Sequence, residues 1–450
     1  MFNALSGIGG SGKSSNEAAE NANTALSVTF TLCSLLGAPV YNIFGVRILI
    51  PAALCYVLYV GSYLSDSDGF TIAAGAILGI GAGFLWTAQA GIMMSYPSES
   101  EKGKSFSIFW VVFNMGSTIG AAVVLANEWT NVKAAVQPSS YYAFMIIMFI
   151  GSISAIVLLP ANKVVRADGS RVSLHKYSNW RREALEVFKL FKDWRMLILI
   201  PLFIGSNWFY TYQFNVFNGP DYYFMIRARC FNNFFYWLFQ ILGAAFYGWL
   251  LDMEALGNRR RRAFIGNTMV LVVLSCLWIG CIKFQSGFTR ESVAAPDFVR
   301  TDIYSPGYGG YIVLYALFGF ADAIYQGFIY WLMGTMTNDT ERAARYGGFY
   351  KTIQNAGNAI ANQIDANKTP FMTELAVVFA INAAGSLLAY AVCWTVPDVT
   401  VETADNLEGG LEKETMVNGR IQTIEDGHKE VVPTTEELIV SEKVIAHSEQ

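Results

Sequence analysis

Apolar runs and short polar turns alternate along most of the chain. The runs cover about 24–43, 48–65, 70–95, 105–126 and 141–160, then, after a long polar interval, about 196–217, 228–251, 263–284, 310–335, 346–365 and 371–396. Each is close to the roughly 20 residues that a helix rising about 1.5 Å per residue needs to cross the hydrocarbon core of a bilayer. Without water to satisfy exposed backbone groups there, each run predicts one membrane-spanning helix. The opening MFNALSGI is apolar but too short to span, and it lacks the basic region and cleavage pattern of a signal peptide. It reads as the remnant of a truncated first span, followed by a linker from Gly9 to Asn23. With that remnant the runs make two groups of six.

One run departs from the pattern. Between Tyr346 and Asp365, Lys351, Asn355, Asn358, Asn362 and Asp365 recur at helical spacing. At about 100° per residue they fall within about 80° of arc and form one polar stripe. Lipid cannot accept such a stripe, so the other helices must shield it.

Composition and charge sharpen this picture. The chain is 53% hydrophobic and 15% charged, against about 25% charged in soluble domains. Residues 397–450 hold 13 acids and 4 bases, which leaves 22 acids and 27 bases for the remainder. The tail is therefore acidic and, lacking periodicity, expected to be disordered. The predicted organisation is a first-span remnant (1–8), an N-terminal helix bundle (24–160), a basic linker (161–195), a C-terminal bundle (196–396) and the tail (397–450). Within the linker, Trp180, Ala184, Val187, Phe188, Phe191 and Trp194 share one helical side, flanked by Arg and Lys. That predicts either an interfacial amphipathic helix or a linker helix packed on the bundle.

Loop charges orient the chain. Eighteen loop Lys and Arg fall on the side of the 161–195 segment and six on the other, so the positive-inside rule puts that segment and the tail in the cytosol. Arg259 to Arg262, in a tight turn, then contact lipid headgroups and fix topology; no nucleic-acid partner is expected. The six cysteines lie within apolar runs without metal-site spacing, and His175, His428 and His447 lie in the linker and tail. No metal, no cofactor and no catalytic constellation is expected.

The two halves carry traces of duplication. Phe113-Asn114-Met-Gly116-Ser-Thr-Ile119-Gly120 matches Gln354-Asn355-Ala-Gly357-Asn-Ala-Ile360-Ala361, and upstream Gln89 and Gln326 occupy comparable places. The turn after the second span, Asn42 with Gly45-Val-Arg47, answers Gly248-Trp-Leu-Leu-Asp252 and Gly257-Asn-Arg259 after the eighth. These turns resemble the major facilitator superfamily signature, with Asn42 in place of its acid and Ile43 in place of the following base. MFNALSGIGG, the run from Gly83 to Pro97 and the Asn114-Met-Gly116 element resemble fungal members of the Unc-ninety-three-like family, over Met1 to about Pro397. The resemblance implies twelve spans in two six-helix bundles, and either transport or the channel-regulatory or receptor-trafficking role of some animal relatives.

Candidate chemistry comes from the polar groups. Gly7 to Ser14 matches the phosphate-binding pattern GxxxxGK[ST], but no strand precedes it, so a flexible linker is the better reading. Asp322, near the middle of the tenth span, costs about 2.5–3.5 kcal/mol on insertion scales and must face a cavity, a partner or a proton. It is read as a coupling residue or as a structural Asp bonded to amides or Lys351. Gln326 lies one turn on, and Asn355, Asn358 and Asn362 either line a cavity or bond between helices. Trp208, Tyr210, Tyr212 and Gln213 read as interface residues before cavity wall. The sequence thus predicts an all-α, multi-pass membrane protein of major-facilitator type and no enzyme. Its candidate pathway is Asp322, Gln326, Lys351, Asn355, Asn358, Asn362, Gln89 and Asn114. The function is transport of a small molecule or ion by alternating access; the alternative is a regulatory or trafficking subunit with a membrane-protein partner.

Overall fold

The computed structural model describes residues 2–7, 16–98, 101–129, 138–160, 163–165, 180–219, 223–398, 413–417, 420–425 and 428–431. Ile8 to Ser14 of the phosphate-type pattern, His175 and most of the central linker lie outside the described residues. Met1–Asp398 forms one compact unit and Val399–Gln450 another.

In the first unit the helices are α1 (Phe2–Ser6), α2 (Asn16–Phe44), α3 (Leu49–Ser62), α4 (Asp68–Ser95), α5 (Lys102–Glu128), α6 (Pro138–Ser154), α7 (Trp180–Lys189), α8 (Trp194–Ile198), α9 (Ile200–Tyr210), α10 (Ile226–Asp252), α11 (Arg259–Gln285), α12 (Arg290–Ala294), α13 (Tyr308–Gly334), α14 (Thr340–Ala366) and α15 (Phe371–Cys393). Among the described residues, eight helical stretches are long and apolar enough to cross a membrane, the first a joined stretch from Asn21 to Ser62. α14, which carries the polar stripe, is not among them. Leu32, Val112, Ile150, Ile279 and Leu387 stay more than half exposed and supply a surface suited to lipid tails.

Several boundaries differ from the sequence expectation for local reasons. α2 begins at Asn16, inside the predicted linker, because NEAAENAN is rich in the helix formers Ala and Glu. The predicted span over 196–217 is α8, α9 and a π-helical segment, Thr211–Phe217, which closes with an Asn218 N–H to Gln213 C=O bond of 3.1 Å. The linker helix forms as α7 but stops at a 3₁₀ turn, and Asp193 caps α8. It lies on α2 with Val187 and Leu190 buried, while Phe188 and Trp194 of the predicted apolar side face outward.

In the second unit, expected to be disordered, β1 (Lys413–Val417), β2 (Arg420–Glu425) and β3 (His428–Val431) form an antiparallel sheet in chain order. Short stretches holding Thr415, Val417, Ile421, Thr423 and Ile424 supply β-branched side chains to both strands of the first pair. That local preference is too brief to register as periodicity in an acidic tail.

Small residues set the helix spacing of the first unit. Gly75, Gly79 and Gly83 form a ridge on α4; a Cβ at Gly75 would stand 2.5 Å from the Ala22 carbonyl of α2, and one at Gly79 would crowd the Leu26 carbonyl still more. Backbones approach this closely only where side chains vanish. The two helix series meet where α5 packs along α10 and where α14 packs along α2 and α4.

Candidate functional site

A cavity of about 470 Å³ lies between the two helix series, a volume usual for small-molecule sites. One wall comes from α2, α4 and α5, with Phe30, Trp86, Trp110 and Phe113 prominent. The other comes from α9, the π-helical segment, α10, α13 and α14, and is mostly amide: Asn207, Asn215, Gln240, Gln326 and Gln354 join the α14 stripe. Lys351, Asn355, Asn358 and Asn362 all line it, as their common helical face requires. Two of these amides also bond locally, Asn355 to the Lys351 carbonyl at 2.8 Å and Asn362 to the Asn358 carbonyl at 2.8 Å.

Asp365, the last residue of the stripe, has a different setting. Arg290 from α12 bonds Asp365 at 2.6 Å and Glu374 of α15 at 2.5 Å, with its guanidinium over the Phe371 ring. Asn215 of the π-helical segment donates to Asp365 at 3.0 Å. The end of the stripe is thus tied into an ion-pair cluster, and the cavity begins one turn earlier.

Lys351 is 4% exposed, and its ammonium has an aromatic surround. The nitrogen lies 4.6 Å from the Trp86 ring centre, 4.8 Å from Tyr350 and 5.4 Å from Tyr330, and it donates to Gln354 Oε1 at 2.7 Å. Ring faces attract a cation by their quadrupoles, which partly offsets its removal from water.

Asp322 lies one layer behind the cavity. Its Oδ2 accepts from Tyr210 Oη at 2.7 Å, from Tyr236 Oη at 3.1 Å and from Gln240 Nε2, and its Oδ1 accepts from Gln326 Nε2 at 2.7 Å. The direct pairing with Lys351 entertained from sequence does not form. The two charges are joined instead through Gln326 and Gln354, whose amides meet at 3.4 Å. Tyr236 shares its single hydroxyl proton with Gln213 Oε1 at 2.9 Å, and with the other neutral donors it offsets part of the cost of burying the carboxyl group.

Gln89 and Asn114 stand apart from the cavity lining. Gln89 donates to the Met93 sulfur and receives Tyr330 Oη at 3.5 Å; Asn114 is fully buried and donates to the Trp110 carbonyl at 3.0 Å. Tyr210, read from sequence as an interface residue, bonds Asp322 and accepts from Gln326. Tyr236 and Gln240 are not distinguished by the sequence pattern, and Gln354 appears there only as the first residue of the repeated element. Gln240 has a visible signal all the same, the one amide between Phe234 and Leu251 of its helix, four residues after Tyr236 and hence on the same face.

The comparisons with known proteins agree with this architecture. Residues 21–364 match the family described as "Ion channel regulatory protein UNC-93". The chain is 38% identical to an UNC93-like protein of Schizosaccharomyces pombe, over 95% of this chain and 85% of that one. It is 41% identical to UNC93-like protein 1 of Arabidopsis thaliana, over 85% of this chain and 83% of that one. Its structure matches the human organic anion transporter MFSD10 (TETRAN) with a TM-score of 0.56 at 15% identity, covering 85% of this chain and 84% of the other. It matches the xylose transporter XylE from E. coli with a TM-score of 0.53 at 12% identity, covering 89% and 95%. At these identities the structural likeness establishes fold alone, a major-facilitator-type arrangement of two six-helix bundles.

Proposed function

The chain belongs to the UNC-93 family, and on that premise we propose that it moves a small solute across a membrane by alternating access. The observation that carries this reading is the cavity between the two helix series, where the stripe of α14 meets Lys351 and the Asp322 cluster. Solute sites in such folds lie near the bilayer midplane between repeats that rock about them. On the count of basic loop residues, the central linker and the tail face the cytosol. Asp322 is the coupling residue in this scheme: once protonated, its O–H can donate to Tyr236 Oη, whose own proton then goes wholly to Gln213 Oε1 at 2.9 Å. In reconstituted vesicles an Asp322→Asn chain should fold yet lose proton-coupled uptake; uptake at the unaltered rate would remove Asp322 from that role.

The family description favours a second reading, that of a regulatory subunit for another membrane protein. The amide stripe then serves as packing between helices. Stable co-purification with a membrane partner, together with no flux from the purified chain in vesicles, would decide for it.

A further inference from the structure

We propose that the cavity is a site for a small organic anion, whose carboxylate sits on the Lys351 ammonium and whose body lies between the amide face of α14 and the aromatic wall. The inference rests on the reading of the cavity as a solute site, and it adds the charge and chemical class of the solute.

Lys351 is the single charged side chain among the described residues that line the cavity. No described carboxylate lies within ion-pair distance of it. The nearest candidate, Asp322, is engaged by neutral donors on α9, α10 and α13 and separated from Lys351 by two glutamines. The ammonium has three N–H donors, one of which goes to Gln354. The ring faces of Trp86, Tyr330 and Tyr350 steady the charge without neutralising it. A buried cation held this way is short of one partner, and an anion in the cavity would supply it.

The remaining walls define the rest of the solute. A cation would meet Lys351 as a like charge, and a neutral solute would leave the ammonium uncompensated. Asn355, Asn358 and Asn362 succeed one another along α14, and each commits its side-chain nitrogen to one acceptor, so they keep donors and acceptors for a hydroxylated or carbonyl-bearing body. Opposite them, Trp86, Trp110 and Phe113 offer ring surface to an apolar face. The cavity volume admits a molecule of one or two rings.

The test uses three probes with one frame and three charges: 4-hydroxyphenylacetate, 4-hydroxyphenylacetamide and tyramine, with a panel of aliphatic, aromatic and polyhydroxylated monocarboxylates beside them. Binding to the purified full chain in nanodiscs is measured by calorimetry at neutral pH. At least one anion should bind about tenfold or more tighter than its own amide, with the amine weakest. Lys351→Met should remove that preference while leaving the amide within about twofold, and Lys351→Arg should keep it. If Lys351→Met does not fold, the charge series on the unaltered chain decides alone. Equal binding of acid and amide, tighter binding of the amine, or no binding of any anion up to roughly 10 mM overturns the proposal. Binding needs no flux, so an anion-selective site in a chain that moves nothing would preserve this inference and overturn transport. Flux of a neutral solute that anions do not affect would do the reverse.

Discussion

Helices α5 and α14 are counterparts in the two halves, and they solve the same problems differently. In both, an asparagine at the matched position bonds the carbonyl four residues back, Asn114 to Trp110 and Asn355 to Lys351. Both helices run along the opposite half, α5 on α10 and α14 on α2. Their N-termini differ. α14 is capped from within by Asp339, which accepts from the Arg342 N–H at 2.7 Å. α5 has no side-chain bond from its own N-cap, Glu101; Asp252 at the end of α10 accepts from the N–H groups of Gly103 at 2.9 Å and Lys104 at 2.6 Å. Orphan donors and the positive end of the helix dipole make that a favourable place for a carboxylate. Lys102 adds a second link across the halves, to the carbonyls of Gly334, the last residue of α13, and of Thr337 in the turn that follows. One junction is therefore held by charge supplied from the other half, and the other by packing and neutral hydrogen bonds, from Thr352 to the Thr31 carbonyl at 3.3 Å and from Asn358 to Ser27 at 3.1 Å.

The largest effect should come from prying the charged junction apart. A Cβ on Gly248 would stand 2.5 Å from the Gly103 carbonyl, so Gly248→Val should cost about 3 kcal/mol or more, read as a lowered unfolding midpoint in detergent. Removing the cross-half cap is the next test. Asp252→Ala should cost about 2 kcal/mol and speed hydrogen exchange at the start of α5, whereas Asp339→Ala should cost about 1 kcal/mol and loosen only the start of α14. Unchanged protection of Gly103 and Lys104 in Asp252→Ala would erase the distinction. A third pair separates the matched asparagines. Asn355→Ala should weaken cavity binding by about 1 kcal/mol, while Asn114→Ala should leave binding unchanged, because Asn114 does not line the cavity and its Oδ1 has no bonding partner among the described residues. Equal losses would make the two helices functionally alike.

The smallest effect concerns the far end of the α5–α10 pair. There Arg227 of α10 bonds Asp302 and stacks on Trp129, just beyond α5. The Asp302 carboxyl is held below its ordinary value of 3.8, mainly by the Arg227 hydrogen bond. The stability this pair contributes should be complete above the unfolded carboxylate range, about pH 4, and be lost as pH falls through the lower folded value. Solvent screening of so exposed a pair keeps the amount small. Asp302→Asn should flatten that part of the acid unfolding curve; an unaltered curve would show that the pair contributes nothing.

The sequence carried the α14 stripe because five polar residues at helical spacing are conspicuous in an apolar chain. It carried Asp252 only as part of a turn pattern, since its partners are backbone N–H groups about 150 residues earlier, which no residue type reveals. Asp322 was visible as an intramembrane acid, but its solvation by Tyr210, Tyr236 and Gln240 depends on three helices meeting. Lys351 was visible as a charge, while its ring surround draws on α4, α13 and α14 together. Residues that act within one helix are legible, and those that act across helices are legible only as types.

The π-helical turn at Thr211–Phe217 sets the phase of the chain beyond it. One extra residue in a helix rotates the later residues by about 100°. That change of phase falls where Asn215 lines the cavity and reaches Asp365 at 3.0 Å. Deleting a single residue there would keep the composition of the span almost intact yet turn Asn215 out of the cavity. A length change of one, rather than any change of side chain, would then disconnect the cavity lining from the Arg290 cluster.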